Sequence, residues 1–386
     1  IIRDRCLEAG EDVPTCDARA AAARLNAANS SVAAHLTVPG TKIEEWQDAG
    51  QCRDCFLPSF GYRPGGSAQY ALALSNFDAD GTPARFKWGF IASSDNHRAR
   101  SGTGYKPIDR LRQTEAARVP GQWRQRLFPK GEPAAQTYVI DPETIMNLGF
   151  AATEMERQAS FWTTGGLAAV HSQGRSRDAI FDALERRETY GTSGPRILLW
   201  FNTAGGTPMG GTVQADKAPV FEVKAVGAHK QKPGCPEDTF DLLGAERVQK
   251  LCANECYNPR DERLAISRIE IIRIRPQITP GEKVEGLIED PWMVHECPAD
   301  GEGCSFTFSD PEFSQGERMA TYYARAIQEP TERINADNLR CTYDAEGNCV
   351  KVNMCYGDDR TAADDNCTRP VEERAWSSPI FVEYQN

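Results

Sequence analysis

The chain lacks any apolar stretch close to the roughly 18 residues that a membrane-spanning helix needs. It also lacks an excess of basic residues, because 44 Lys and Arg stand against 55 Asp and Glu, a formal net charge of −11. A protein that binds the phosphate backbone of a nucleic acid needs a basic face. The composition therefore predicts a water-soluble protein with no membrane span and no nucleic-acid partner.

The first residues contain neither an initiator methionine nor the basic and then apolar profile of a signal peptide. We therefore expect a processed or incomplete chain, with an upstream segment missing or supplied as a second chain. At 386 residues the chain is long enough for two domains, each with its own core.

Cysteine is abundant, with 13 residues in the chain. Most of them occur in close pairs within polar sequence, which favours local disulfides and an oxidising compartment, either the bacterial periplasm or the extracellular space. Spacing alone does not establish connectivity, and six pairs leave Cys235 over. The pairs are Cys6 and Cys16, Cys52 and Cys55, Cys252 and Cys256, Cys297 and Cys304, Cys341 and Cys349, and Cys355 and Cys367.

Zinc is the competing interpretation of these cysteines. The spacing of Cys52 and Cys55 is that of a common zinc half-site. A second Cys or His pair at the spacing of a zinc ribbon does not follow Cys55. Disulfides are therefore the favoured interpretation.

The hydrophobic pattern predicts an α/β part followed by an all-β part. Residues 165–172, 176–190 and 196–201 read as strand, helix and strand, with Ser176 placed to cap the helix. Beyond residue 205, short alternating segments between Pro, Gly and Cys loops predict a β-sandwich with disulfides. We expect the boundary within residues 202–211, which gives one domain at 1–204 and another at 205–386.

The stretch "FKWGFIASSDNH" is an apolar run that ends in Asp95-Asn96-His97. Side chains two residues apart in a strand point to the same side, so Asp95 and His97 can converge. A carboxylate oxygen and an imidazole nitrogen suit Zn, Mn or Fe. The alternative is a polar turn with a structural histidine.

Polar residues near this motif are candidates for substrate contact. Arg98, Arg100, Tyr105 and Lys106 follow the motif, and basic side chains beside a metal suit a small anionic substrate such as a phosphoester. His171 ends a predicted strand and is a candidate catalytic general acid, because an imidazole titrates near neutral pH.

Several long segments resemble the C-terminal part of the DUF3604 family, an uncharacterised branch of the PHP (polymerase and histidinol phosphatase) metallohydrolases. They are "DAGQCRDCFLPSFGYRPGGSAQYALAL", "GFIASSDNH", "GGLAAVHSQGRSRDAIFDALERRETYGTSGPRILLWF", "YYARAIQ" and "RAWSSPIFVEY". The resemblance implies a distorted (β/α)7 barrel that binds two or three divalent metal ions, with Asp95 and His97 as ligands. Residues 165–172 and 176–187 would then be a barrel strand and the helix that closes the barrel.

The sequence departs from the PHP pattern in its histidines. PHP proteins begin with a His-x-His pair and a Thr-Asp-His motif, and neither motif is present. The five histidines are far apart in sequence: His35, His97, His171, His229 and His295. We therefore expect only the last part of a PHP-like barrel here, without the N-terminal ligands.

These observations predict a metal-dependent hydrolase of the PHP/DUF3604 type, acting on phosphoesters if the missing ligands are supplied. The alternative is a non-catalytic secreted binding or assembly protein with a degenerate metal site. A weaker possibility is a carbohydrate-active protein whose aromatic residues, such as Trp292 and Trp376, line a groove.

Overall fold

The structure is a computed structural model, and it describes residues 7, 12–17, 68–93, 166–284, 286–334, 342–346, 349–351 and 368–385. The chain divides into two compact units. The first consists of Ile1–Ala71, Ala116–Trp162 and Asp337–Cys367, and the second of Leu72–Glu115, Thr163–Ala336 and Thr368–Asn386. The predicted boundary at residues 202–211 lies inside the second unit.

The described residues form short helices and many strands. The helices are α1 (Ala68–Ala73), α2 (Arg177–Glu185), α3 (Glu237–Leu243), α4 (Ala245–Cys252) and α5 (Phe313–Gly316). The strands are β1 (Ser75–Phe77), β2 (Pro83–Arg85), β3 (Leu167–Val170), β4 (Thr189–Thr192), β5 (Leu198–Thr203), β6 (Thr212–Ala215), β7 (Phe221–Val226), β8 (His229–Gln231), β9 (Pro259–Arg263), β10 (Ile266–Ile274), β11 (Ile288–Glu296), β12 (Cys304–Phe308), β13 (Ala320–Gln328), β14 (Thr331–Ile334), β15 (Thr342–Tyr343), β16 (Cys349–Lys351), β17 (Thr368–Val371), β18 (Arg374–Ser377) and β19 (Ile380–Tyr384). None of these helices is long and apolar enough to span a membrane.

Most of the second unit is built on an eight-stranded sheet. Its strands follow the order β11-β10-β13-β18-β4-β3, with β19 paired to β13 and β6 paired to β19. Every pairing is antiparallel except that of β6 with β19. The apolar strand "ISRIEIIRI" is β10, and its position between β11 and β13 explains why neither face of it is wholly polar.

A three-stranded sheet of order β12-β7-β5 packs on the large sheet. Alternation determines its buried face, because Phe221, Val223 and Ala225 of β7 are buried while Glu222 and Lys224 are exposed. Phe221 stacks on Phe308 at 4.9 Å and contacts Tyr322 of the large sheet, also at 4.9 Å between ring centroids. Burial of such side chains contributes about 1.5–3 kcal/mol each and holds the two sheets together. The β-rich architecture with disulfides that the sequence predicts is present.

The α/β interpretation of residues 165–201 is wrong for the described residues. Helix α2 forms as expected, and the Ser176 Oγ accepts a hydrogen bond from the Ala179 N–H at 3.1 Å. However, β3 and β4 on either side of α2 pair antiparallel, and β5 belongs to the three-stranded sheet. The chain thus returns antiparallel after α2 and not as the parallel crossover of a barrel, and Arg187, with φ of 63°, lies in the turn between α2 and β4. The described residues therefore do not support a PHP-like barrel.

The structure confirms one predicted disulfide and corrects another. Cys297 and Cys304 are bridged, as expected. The predicted bridge between Cys252 and Cys256 is wrong, because Cys256 is bonded to Cys235, the cysteine left over in the pairing by proximity. Sequence proximity misled here because β8 and β9 pair and bring residues 21 apart in sequence together. The other four predicted pairs include residues outside the described ranges.

A buried ionic centre lies at one end of the core. The Arg273 Nη1 donates to the Asp310 Oδ2 at 2.8 Å, and the Tyr322 hydroxyl donates to the same oxygen at 2.6 Å. Burial, and then the bond to Asp310, raise the pKa of Tyr322, so its hydroxyl keeps the proton that it donates. The Arg273 guanidinium also lies 4.9 Å from the centroid of the Trp292 ring. Asp310 thus joins two buried donors.

We predict that Asp310→Ala lowers the free energy of unfolding by about 2–4 kcal/mol, because it leaves two buried donors without this acceptor. The matched control is Glu312→Ala. Glu312 also binds Arg273, at 2.8 Å, but its side chain is 60 % exposed, so the loss should be below about 1 kcal/mol. Urea unfolding of both variants measures the difference. Equal losses of unfolding free energy in the two variants would show that the buried Asp310 carboxylate stabilises the fold no more than the exposed Glu312 carboxylate does.

Candidate functional site

The predicted metal ligands Asp95 and His97 lie outside the described residues, as do Arg98, Arg100, Tyr105 and Lys106. Their roles therefore stay predictions. What the structure does describe is residues 86–93, the apolar run that leads to this motif. Its contacts determine where the chain is held immediately before Asp95.

Residues 86–93 are tied to the large sheet by polar and apolar contacts. The Phe90 N–H donates to the Ser378 Oγ at 2.8 Å, and the Phe90 ring packs edge-on against Tyr323 with 5.3 Å between centroids. The Arg187 Nη1 donates to the Lys87 carbonyl at 2.7 Å. The segment is therefore anchored to the large sheet through both its backbone and its side chains.

Two glycines in the β3–β4 hairpin allow the segment to come this close. A Cβ on Gly191 would lie 2.7 Å from the Ala92 Cβ and 2.9 Å from the Ala92 nitrogen. A Cβ on Gly166 would also lie 2.7 Å from the Ala92 Cβ. Real Cβ atoms do not approach other atoms so closely, so glycine at both positions is required for this packing.

We predict that Gly191→Ala loosens residues 86–93 and costs about 1–3 kcal/mol, because the new methyl group overlaps Ala92. Hydrogen–deuterium exchange of peptides that cover residues 86–93 should become faster. Gly174→Ala is the control, since a Cβ there meets open space. Unchanged exchange in the Gly191 variant would contradict the close approach.

His171 is described, and it lies just beyond the end of β3. Its Nε2 is 2.9 Å from the Leu199 carbonyl, and its ring lies 5.5 Å from Tyr190 and 5.9 Å from Trp200 between centroids. A carbonyl oxygen only accepts, so Nε2 carries the proton. A catalytic role would therefore fall to Nδ1.

His171 and Ala92, which is near the end of the 86–93 segment, lie toward opposite ends of the β3–β4 pair, whereas Lys87 and Gly89 lie near Arg187 and Thr189 at the His171 end. Ala92 sits against Gly166 and Gly191, next to the start of β3, whereas the His171 N–H donates to the Glu188 carbonyl beyond its other end. The four residues of β3 span about 13 Å. The sequence predicted a strand end both at His171 and at Ala92, before Asp95. β3 does end just before His171, but the strand expected to end at Ala92 is wrong, because residues 86–93 form no strand.

We predict that His171→Ala lowers the free energy of unfolding by about 1–2 kcal/mol, because the Leu199 carbonyl loses its donor and two aromatic rings lose a neighbour. His295→Ala is the comparison, since His295 stacks on Phe306 at 4.1 Å with its ring half-exposed. Thermal unfolding should show the larger loss for His171. An unchanged melting temperature in His171→Ala would argue against the hydrogen bond.

Trp292 and Trp376 were the aromatic residues considered for a sugar-binding groove. Trp292 packs on the core, with 6.0 Å to Phe308 and 6.1 Å to Tyr322 between centroids, and Arg273 lies over its ring. Trp376 of β18 is half-buried and paired across the sheet with Arg325 and Gly191. The Trp292 ring thus packs on core residues and on Arg273, and these contacts explain its position without a sugar.

Sequence reasoning missed a network of charged residues on the large sheet. The Arg325 Nε donates to the Glu270 Oε2 at 2.6 Å, and its Nη2 donates to Asp290 at 2.5 Å. Arg268 donates to the Glu270 Oε1 at 2.8 Å and to Glu372 at 2.7 Å. The bond from Arg268 lowers the pKa of Glu372. Two guanidinium groups thus bind three carboxylates, an arrangement that fastens strands together.

A cluster of three cysteines is the second feature that sequence reasoning missed. The sulfurs of Cys235, Cys252 and Cys256 all lie within 4.8 Å of one another. Cys252 is the last residue of α4, and Ala253 and Asn254, with φ of 51° and 63°, turn the chain back toward Cys256. As three thiolates, these residues could hold a metal ion. The sequence did contain one indication of this cluster, because Cys235 was the cysteine left without a partner when the others were paired by proximity.

Part of the chain is similar to a known protein family. Residues 76–205 match the model of the family described as "Protein of unknown function (DUF3604)". This stretch resembles DUF3604. It contains Asp95, His97 and His171, and it covers about a third of the chain. No curated protein and no solved structure matches. The resemblance predicted from the sequence is thus supported over residues 76–205.

Proposed function

We propose that this protein is a metal-dependent hydrolase of the PHP/DUF3604 type that acts on small anionic substrates, with phosphoesters as the leading class. The observation that carries the proposal is the DUF3604 match over residues 76–205, which contains the Asp95-x-His97 motif. The family itself is described as one of unknown function, so the chemistry is argued from the residues.

The donor atoms of the motif fit a divalent metal ion. Asp95 offers a hard carboxylate oxygen and His97 an imidazole nitrogen, a mixed set that suits Zn, Mn or Fe. The chain before them is held to the large sheet by Phe90 and packed against Gly191. Because residues 86–93 are held in place, the side chains that follow them have less conformational freedom to lose when a metal ion binds, which favours binding.

Two residues do not complete a metal site, and a cluster of two or three ions needs further ligands. The proposal therefore includes additional donors besides Asp95 and His97. It does not depend on a complete PHP-like barrel, because those donors could come from any part of the chain or from a second chain.

The basic residues after the motif define the substrate class in this proposal. Arg98, Arg100 and Lys106 would bind the anion, with Tyr105 as a further hydrogen-bond donor. A bound metal ion would lower the pKa of a water molecule and stabilise charge on phosphoryl oxygens. His171 remains a candidate general acid through Nδ1, in a ring protonated on both nitrogens, because Nε2 donates to the Leu199 carbonyl. Asp95 and His97 are the first residues to test, because His171 lies at the other end of β3 from Ala92.

The proposal also includes an oxidising location. The bridges Cys235–Cys256 and Cys297–Cys304 fit a protein outside the cytoplasm, where disulfides persist. Either the periplasm or the extracellular space satisfies this chemistry.

We predict that the purified chain binds Zn, Mn or Fe and hydrolyses p-nitrophenyl phosphate or its bis ester. Asp95→Asn and His97→Asn should lower the bound metal at least about tenfold and the hydrolysis rate about a hundredfold or more. Elemental analysis and colorimetric assays measure the two quantities. The control is Asp80→Asn, since Asp80 caps the β1–β2 turn by accepting from the Thr82 N–H and asparagine can do the same.

Two results would count against the hydrolase. The wild-type chain could be metal-free and inactive even after Zn, Mn and Fe are added, which favours the non-catalytic binding or assembly protein. Alternatively, the Asp95 and His97 variants could keep their metal, which places any metal elsewhere. The three-cysteine cluster would then be the next group to test.

A further inference from the structure

The disulfide Cys235–Cys256 has a third sulfur beside it. The Cys252 Sγ lies 3.3 Å from the Cys256 Sγ, inside the usual contact distance for two sulfur atoms that are not bonded. Three sulfurs can form only one bond among themselves at a time, so one of them is a thiol, and in this structure it is that of Cys252. The arrangement is that of a thiol in contact with a disulfide, the two partners of thiol–disulfide exchange.

We propose that the three cysteines form a thiol–disulfide exchange site, in which Cys252 and Cys235 alternate as the partner of Cys256. The Cys252 thiolate attacks the Cys256 sulfur and a bond between these two sulfurs forms. The Cys235–Cys256 bond breaks, and its electron pair leaves with the Cys235 sulfur, which takes up a proton. One disulfide and one thiol are present before and after, so the step needs no oxidant or reductant.

The surroundings of the three sulfurs suit this exchange. Cys256, the shared partner, is buried at 8 % exposure, whereas Cys235 and Cys252 are half-buried. The turn through Ala253 and Asn254 holds Cys252 toward Cys256, and the Glu255 N–H donates to the Cys252 carbonyl at 2.8 Å. The leaving sulfur is thus partly exposed to water, which stabilises the thiolate as it departs.

Metal binding is the other chemistry open to three cysteines, and the bridge decides between the two. A metal site requires all three sulfurs as thiolates, so the disulfide must first be reduced by two electrons. Exchange requires only the thiol and the disulfide that the structure already contains. Exchange is therefore the inference that the observed bonding supports directly.

Exchange would change how α3 and α4 are covalently tied to the strands β8 and β9 that flank them. The Cys235–Cys256 bridge closes a span of 21 residues that contains α3 and α4. A Cys252–Cys256 bridge closes only the turn after α4, so the start of α3 loses its covalent tie. These two helices carry exposed apolar side chains, among them Phe240, Leu242 and Leu251. The exchange also moves the reactive thiol to Cys235, where an external disulfide could modify it.

Tryptic mapping without reduction distinguishes the two bridges. Cys235 lies in the tryptic peptide 231–247, and Cys252 and Cys256 both lie in the peptide 251–260. The observed bridge links the two peptides, whereas the exchanged bridge lies within 251–260 and leaves Cys235 open to alkylation. After incubation of the full chain at pH 8 and a short N-ethylmaleimide pulse, we expect both species. The internal control is Cys297–Cys304, whose cysteines share the peptide 284–318 and should stay unlabelled.

Two variants make the result decisive. Cys252→Ser removes the attacking thiol, so labelling of Cys235 should fall at least about tenfold. Cys235→Ser should give a bridge within the peptide 251–260, which shows that Cys252 and Cys256 can bond. Circular dichroism confirms that each variant is folded. Label on Cys252 alone at every time in the wild type, or two labelled cysteines in folded Cys235→Ser, would overturn the proposal.

Discussion

The packing of the three-stranded sheet on the eight-stranded sheet is the constraint on which the rest of the second unit depends. The rings of Phe221, Phe308 and Tyr322 meet at this interface, and the buried pair of Arg273 and Asp310 closes one end of it. A layer of aromatic residues needs both sheets to exclude water. Strands on either side are therefore fixed relative to each other, and loops that leave them start from defined positions.

This scaffold holds the approach to the Asp95-x-His97 motif. Residues 86–93 lie against the large sheet because Phe90 packs on Tyr323 and binds Ser378, and because Gly191 leaves room for Ala92. The cysteine cluster occupies a different part of the second unit, where β8 and β9 lead into the helices α3 and α4. The second unit thus carries two candidate chemistries, one after the 86–93 segment and one at a disulfide.

Local features were predictable where one short segment contains the whole signal. Ser176 caps α2 because its hydroxyl and the Ala179 N–H are three residues apart, and the alternation of β7 reads directly as buried and exposed faces. The bridge between Cys297 and Cys304 spans a short turn and was also predictable. By contrast, Cys235 finds Cys256 only because β8 and β9 pair, which no spacing rule detects.

By itself, the sequence determined the β-rich character, the presence of disulfides, the Cys297–Cys304 bridge and the helix α2, and it predicted Asp95 and His97 as candidate ligands, since each follows from composition or from a few neighbouring residues. Only the tertiary structure decided that β3 and β4 form an antiparallel hairpin, that His171 lies beyond its far end and that Cys252 touches Cys256. The physical reason is that pairing between strands depends on burial and hydrogen bonds between residues far apart in sequence. Periodicity shows which face of a strand is buried, but it does not show which strand lies beside it.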